Sequence, residues 1–240
     1  MGKPRRDQCT GKRHGDYHTV DARDRDGRTA LIIGARRGDD KVVSALLALR
    51  TVGVEIDIDA IDNEEYSALM WAADQGNPDV IRALGECGIK TEVRDSAGRT
   101  ALLIAVSAEQ YDAVLELLGL SANPDARDNM GLTVLMYAAR SDAPETIVSL
   151  RKAGADMELV DDQGCTALMS AVQAAQLRIV IALLQPIPGI VGPNLHATDD
   201  VGRNALMLAA AEGMYEAMIA HGADVDAVDD SGGIRYYGRS

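Results

Sequence analysis

Residues 95–106 read DSAGRTALLIAV, and this string decides the fold because the chain repeats its pattern six times. It returns as DRDGRTALIIGA (24–35), DNEEYSALMWAA (62–73), DNMGLTVLMYAA (128–139), DDQGCTALMSAV (161–172) and DDVGRNALMLAA (199–210). The leucine common to all six falls at Leu31, Leu69, Leu102, Leu135, Leu168 and Leu206, in steps of 38, 33, 33, 33 and 38 residues. A fixed period of this length marks a stacked-repeat architecture. Two steps are five residues over, so two insertions interrupt an otherwise regular array.

Each recurring residue type has a local physical role. Gly27, Gly98, Gly131, Gly164 and Gly202 stand where a turn needs positive φ. Two residues later, Thr29, Ser67, Thr100, Thr133, Thr166 and Asn204 are suited to N-cap a helix. The following Leu and small residues share one helical face and let neighbouring helices approach closely. Second helices have their own start signals, with Pro78 and Pro144 at the first helical position. Apolar runs such as Val42–Leu47 and Ile179–Leu184 supply their buried faces. Helices of about ten residues are unstable alone in water, so each repeat depends on its neighbours. The fold class is therefore an all-α repeat solenoid of helix-turn-helix units, with turns or β-hairpins projecting to one side.

This period, the D-x-x-G-x-T-A-L-x-x-A-A pattern and the endings Gly154-Ala155-Asp156 and Gly222-Ala223-Asp224 resemble the ankyrin repeat over residues 24 to about 229. The array is expected over 20–230, with six repeats starting near 24, 62, 95, 128, 161 and 199. Residues 1–19 read as a basic, disordered tail, and 231–240 as a degenerate tail or truncated next repeat. Both ends look unfinished, as in part of a longer array.

Departures from the family pattern carry further expectations. The family's Thr-Pro-Leu-His start loses Pro and His here, and Met70, Met136, Met169 and Met207 take the His position as core filler. Glu65 replaces the turn glycine of repeat 2. Glu109, Asp142 and Ala175 stand where Gly38, Gly76 and Gly213 occur in other repeats, so these inter-helix turns are expected to be rebuilt. Gly85 is expected to weaken the second helix of repeat 2. One insertion lies within Arg50–Val54. The other spans Gln185–Pro193 and, with three Pro and two Gly, is not helical. Repeat 6 is short by about one helical turn.

Bulk properties narrow the function. The net charge is −13, there is no Phe, and Trp71 is the only Trp. Residues 1–37 hold ten Lys/Arg against five Asp/Glu, so the remaining body is strongly acidic and disfavours nucleic acid. Cys9, Cys87 and Cys165 are an odd, widely spaced set that reads as free thiols in a reducing compartment, the cytoplasm. No stretch has the length of a membrane span. No phosphate-binding loop, dinucleotide fingerprint, zinc-protease motif or nucleophile elbow occurs. Cys9, His14 and His18 make too few ligands for a metal site. Neither catalysis, cofactor nor small-molecule substrate is expected.

What the resemblance implies is a monomeric protein-interaction scaffold, with the partner on the turn tips and the exposed, concave side of the first helices. Carried onto this chain, that face is expected to centre on Tyr66, Trp71, Asp74, Arg99, Ile104, Met130, Leu132, Tyr137 and Arg140. Trp71, Ile104 and Tyr137 occupy one equivalent position in three successive repeats and read as exposed anchors flanked by arginine. On that reading, Trp71→Ala with Tyr137→Ala abolishes partner capture and leaves helical content unchanged. Asp21, Asp59, Glu92, Asp125, Glu158 and Asp226 recur three residues before each repeat, with His196 breaking the series. They read as a negative stripe for a basic segment of the partner. A targeting or regulatory portion of a larger enzyme or membrane-associated protein is the alternative.

Overall fold

In a computed structural model, which describes residues 20–212 and 214–224, the chain forms paired helices along the whole array. The pairs are α1 (Ala30–Arg37) with α2 (Asp40–Ala48), α3 (Ala68–Asp74) with α4 (Pro78–Glu86), and α5 (Ala101–Ser107) with α6 (Tyr111–Gly119). They continue as α7 (Val134–Ala139) with α8 (Pro144–Lys152), α9 (Ala167–Gln173) with α10 (Leu177–Leu184), and α11 (Ala205–Glu212) with α12 (Tyr215–Ala220). First helices stack on first helices, and second helices from α2 to α10 form the other layer. Residues 1–19 with Cys9, His14 and His18, and Gly213, Asp226 and 231–240, lie outside the described residues.

The helix starts follow from the hydroxyl and amide caps. Thr29, Ser67, Thr100, Thr133 and Thr166 each accept from the backbone N–H three residues on, and Asn204 Oδ1 accepts from Met207 N at 2.9 Å. Behind each cap, the core is one continuous stripe of Leu, Ala, Val, Ile and Met between the layers. Met70, Met136 and Met169 are buried in it, and Met207 is buried beside it.

The non-glycine turns divide into two kinds. Glu65 takes φ of +63°, and the inter-helix turns keep the left-handed residue at Glu109 and Ala175, with φ of +57° and +54°. Those two turns are not rebuilt as expected; they carry the strain. Asp142 is the exception. It is not in the left-handed region, and α7 ends early at Ala139, with Ser141 Oγ donating to the Ala138 carbonyl.

Gly85 opens space for a neighbour. A Cβ there would collide with the Leu120 methyl groups, so Leu120 fills the volume that a side chain at 85 would take. The helical run nevertheless continues to Glu86, and the packing offsets the weak propensity of glycine.

Both insertions are tied down. Leu49–Val52 extends α2 as a 3-10 turn closed by Gly53, and Arg50 Nη1 donates to the Cys87 carbonyl of the next repeat at 2.9 Å. Residues 185–193 turn back on themselves through an Ile187–Ile190 bridge. Arg151 of α8 is buried beneath this segment and donates Nη1 to the carbonyls of Ala182 and Gln185, at 2.7 and 2.9 Å. It thereby caps the C-terminus of α10.

The projecting turns contain no strand among the described residues. They pair through isolated antiparallel bridges, Ile61–Ser67, Arg127–Thr133 and Thr198–Asn204. Adjacent turns also join directly, with Asn63 N donating to Asp26 O and Asn129 N to Ala97 O, both at 2.9 Å.

Candidate functional site

The turn side of the array is organised by the aspartate that opens each repeat. One oxygen, Oδ1, accepts the backbone N–H groups two and four residues on. Asp62 takes Glu64 and Tyr66, Asp95 takes Ala97 and Arg99, and Asp128 takes Met130 and Leu132, at 2.8–3.0 Å. These Asx turns hold the tips rigid. Asp62, Asp95, Asp128 and Asp199 are all buried, so the second oxygen also requires a donor.

That requirement explains Trp71 and Tyr137. Trp71 Nε1 donates to Asp62 Oδ2 at 2.8 Å, and Tyr137 Oη donates to Asp128 Oδ2 at 2.9 Å. Burial raises the Tyr137 hydroxyl pKa above its ordinary value, and the bond to Asp128 raises it further. The hydroxyl therefore remains a donor at neutral pH. In repeat 3 the corresponding position is Ile104, which cannot donate, and Arg99 takes over with Nε at 2.8 Å from Asp95 Oδ2. Burial opposes the Arg99 charge most strongly, but the hydrogen bond to Asp95 and the attraction of Tyr66, Asp95 and Tyr137 together outweigh it and leave the arginine pKa raised.

The expectation of an exposed Trp71–Ile104–Tyr137 strip is corrected by this packing. Trp71 is 9% exposed, Ile104 2% and Leu132 8%, while Tyr137 is half-buried. The indole folds against the first-helix layer because its N–H must reach a buried carboxylate. Ile104 and Leu132 have no polar group to hold them at the surface. Truncating Trp71 to alanine would remove a carboxylate's donor along with a ring, so helical content is not independent of it.

What reaches solvent on this face is a band of different residues. Met130, at the tip of repeat 4, is 67% exposed, and Arg140 is exposed at the end of α7. Tyr66, Asp74 and Arg99 are partly exposed. Arg36 of repeat 1 lies over the Trp71 ring, 4.6 Å from its centroid, in cation–π contact. Tyr66 packs on Trp71 with centroids 4.9 Å apart, and Arg99 Nη2 donates to Tyr66 Oη at 2.9 Å. Repeats 1 to 3 are thus laced by two packed aromatic groups held between two arginines. Apolar Val201 at the tip of repeat 6 is also exposed.

The acidic stripe has a structural role that the sequence reading missed. Asp21, Asp59, Glu92, Asp125 and Glu158 each accept a backbone N–H of the following repeat, from Asp57, Lys90, Asn123, Asp156 and Asn194, at 2.7–3.0 Å. The spacing of one repeat between carboxylate and amide was the available signal. A parallel set of arginines bridges the same joints: Arg23 to the Ile61 carbonyl, Arg94 to Arg127 and Arg127 to Val160.

Other features lie away from this band. A groove of about 440 Å³ is lined by Tyr111, Val148, Arg178 and Ile181 of the second-helix layer. No group of three His, Cys, Asp or Glu placed to hold a metal occurs among the described residues. None of the described helices is long and apolar enough to cross a membrane.

Comparison with known proteins agrees with this architecture. A family model described as ankyrin repeats matches three times, over residues 13–95, 87–161 and 135–229. An ankyrin repeat-containing protein of Treponema pallidum (strain Nichols) is 37% identical over 89 residues, 37% of this chain and 28% of that protein. The matched stretch therefore covers well under two thirds of that relative. The crystal structure of the ankyrin repeat domain of Bcl-3, a member of the IkappaB protein family, superposes with a TM-score of 0.80 at 28% identity. That similarity covers 90% of this chain and 96% of the Bcl-3 chain. Ankyrin repeats are generally protein–protein interaction modules and typically non-catalytic.

Proposed function

Since the chain belongs to the ankyrin-repeat family, we propose that it is a non-catalytic scaffold that holds a partner protein on the turn tips and concave first-helix face of repeats 2 to 4. The observation that carries this reading is the rigid, partly exposed band of Tyr66, Arg99, Met130 and Arg140, laid over the Trp71–Asp62 and Tyr137–Asp128 hydrogen bonds. Tyrosine and arginine are favoured anchors of protein interfaces. Tyr66, Asp74, Arg99, Met130, Tyr137 and Arg140 would touch the partner. Trp71, Ile104 and Leu132 would act from below by fixing the surface.

The finer parts of the reading follow from charge and chemistry. Asp21, Glu92, Asp125 and Glu158 each commit one oxygen to a neighbouring repeat and have no basic partner among the described residues, whereas Asp59 also pairs with Lys90 Nζ at 3.2 Å. A basic segment of the partner is the complement of the four. Affinity would then fall as salt is raised, and a salt-independent affinity refutes this part. The scaffold would act as a cytoplasmic monomer. A second reading is a targeting or regulatory portion of a larger enzyme or membrane-associated protein.

The test is partner capture by the intact array, followed by identification of the bound protein. Met130→Ala with Arg140→Ala is expected to lower affinity at least tenfold with unchanged thermal stability, because both side chains stand in solvent. Undiminished capture by the double variant refutes the assignment of the face.

A further inference from the structure

In five of the six repeats the second oxygen of the opening aspartate takes its donor from one of two positions, four or nine residues on. In repeats 1, 3 and 6 the donor is the arginine at four: Arg28, Arg99 and Arg203 place Nε 3.0, 2.8 and 2.8 Å from Asp24, Asp95 and Asp199 Oδ2. Position nine is then aliphatic: Ile33, Ile104 and Leu208. In repeats 2 and 4 the donor is the aromatic at nine, Trp71 or Tyr137, and position four is Tyr66 or Leu132.

Repeat 5 has neither donor. Position four is Cys165 and position nine is Ser170. Asp161 Oδ1 keeps the usual pair of backbone bonds, from Gln163 and Cys165 at 2.9 Å, but Oδ2 accepts no hydrogen bond from any described residue. Asp161 is partly exposed, whereas the opening aspartates of repeats 2, 3, 4 and 6 are buried. Ser170 Oγ, at the position where Trp71 and Tyr137 carry their donors, is buried without a partner. The thiol of Cys165 has one hydrogen-bond partner among the described residues, Gln173 Nε2 at 3.7 Å, and burial raises its pKa, so it stays neutral.

We propose that repeat 5 receives an arginine side chain from the partner protein, whose guanidinium donates to Asp161 Oδ2 as Arg99 and Arg203 do to the carboxylates of their own repeats. This deepens the proposed function and rests on its claim that the turn and first-helix face receives a protein. Charge complementarity selects a cation, since Asp161 has no basic partner and Asp162 beside it is exposed. Geometry selects arginine over lysine. With Oδ1 engaged, one oxygen remains, and Arg99 and Arg203 bind such an oxygen through both Nε and Nη2, at 2.8 and 2.7 Å. A lysine ammonium lacks that planar pair of donors. The flanking carboxylates, Asp128 and Asp199, are closed by Tyr137 and Arg203, which confines the slot to one repeat.

The test needs no partner protein. The 15N-labelled chain is titrated with Nα-acetyl-arginine amide and, separately, Nα-acetyl-lysine amide, and amide shifts are followed. Saturable shifts at Gln163, Gly164 and Cys165 are expected with the arginine probe, at least threefold larger than with lysine. They are expected to vanish in Cys165→Arg, which supplies the internal donor of repeats 3 and 6. They should vanish also in Asp161→Asn, which keeps the Oδ1 turn but replaces Oδ2 with a donor. The idea is overturned by absent shifts in repeat 5, by equal shifts at the Asp95, Asp128 and Asp199 turns, or by shifts that survive in Asp161→Asn. These outcomes concern the arginine slot alone, whereas capture by Met130→Ala with Arg140→Ala judges the wider face.

Discussion

Replacing Trp71 with Phe tests whether the two donor positions are interchangeable. The change keeps an aromatic ring in the first-helix layer but removes the 2.8 Å bond from Nε1 to Asp62 Oδ2. Asp62 is buried, so its freed oxygen has little access to water. A hydrogen bond to a charged group contributes about 1.5–3 kcal/mol. The smaller ring in a packed site adds about 1 kcal/mol, so the expected loss is about 2.5–4 kcal/mol. For an array of this size that lowers Tm by roughly 5–15 °C. Tyr66→Arg then supplies a guanidinium at the position from which Arg99 serves Asp95. In the Tyr66→Arg background, the same Trp71→Phe change should cost only the volume part, about 1 kcal/mol. Urea unfolding of the four proteins followed by far-ultraviolet circular dichroism gives the coupling energy directly, and about 1.5 kcal/mol or more is expected. Additive effects, or a Trp71→Phe variant as stable as the parent, would refute the two-position scheme.

Three further outcomes follow from the structure. Glu109→Gly and Ala175→Gly, at φ of +57° and +54°, should each stabilise by about 0.5–1.5 kcal/mol, since relief of left-handed strain exceeds the added unfolded-state entropy. Asp142→Gly, outside that region, should give no such gain, and urea midpoints of the three variants decide the matter. For Asp199, burial would raise the pKa, but the hydrogen bonds from Arg203 and the turn amides outweigh it and leave the folded value lowered. Its stabilising contribution is therefore present above the unfolded carboxylate pKa and lost as pH falls through the lower folded value. Arg203→Met should move the acid-unfolding midpoint to higher pH, and an unmoved midpoint counts against the pairing. Cys165 is buried with a raised pKa and should resist iodoacetamide at neutral pH until the array unfolds, whereas half-buried Cys87 should label first; peptide mass mapping over time checks the order.

The fold was legible because each signal acts locally. A Thr or Asn before the Ala/Val-Leu pair caps the helix that follows it, whatever lies in the next repeat. The candidate face was less legible because its side chains are placed by partners far away in the chain. Trp71 reads as an exposed anchor until Asp62 is seen to demand its N–H, and the same demand in repeat 3 is met by Arg99, leaving Ile104 to sink into the core. That alternation stands in the sequence at positions four and nine, but it acquires meaning only when both are seen to converge on one oxygen. Likewise, Asp59, Glu92 and Asp125 read as surface charge, while their carboxylates in fact bridge to amides 31 residues on. Glu109 and Asp142 occupy the same register, yet one bends left-handed and the other lets the preceding helix stop early.

Those carboxylate bridges also show where chain length is free to vary. Three of them span 31 residues, and the two that cross insertions, Asp21 to Asp57 and Glu158 to Asn194, span 36 and close at 3.0 and 2.7 Å all the same. Five additional residues at each of these joints are thus absorbed without shifting the repeats that follow. A foreign peptide grafted into 50–54 or 187–191 would ride outside the stack, whereas a single residue added inside any helix pair would throw every later rung out of step. The array behaves as a ruler with two expansion joints, and those joints are the natural places to attach a label, a tether or a second binding sequence.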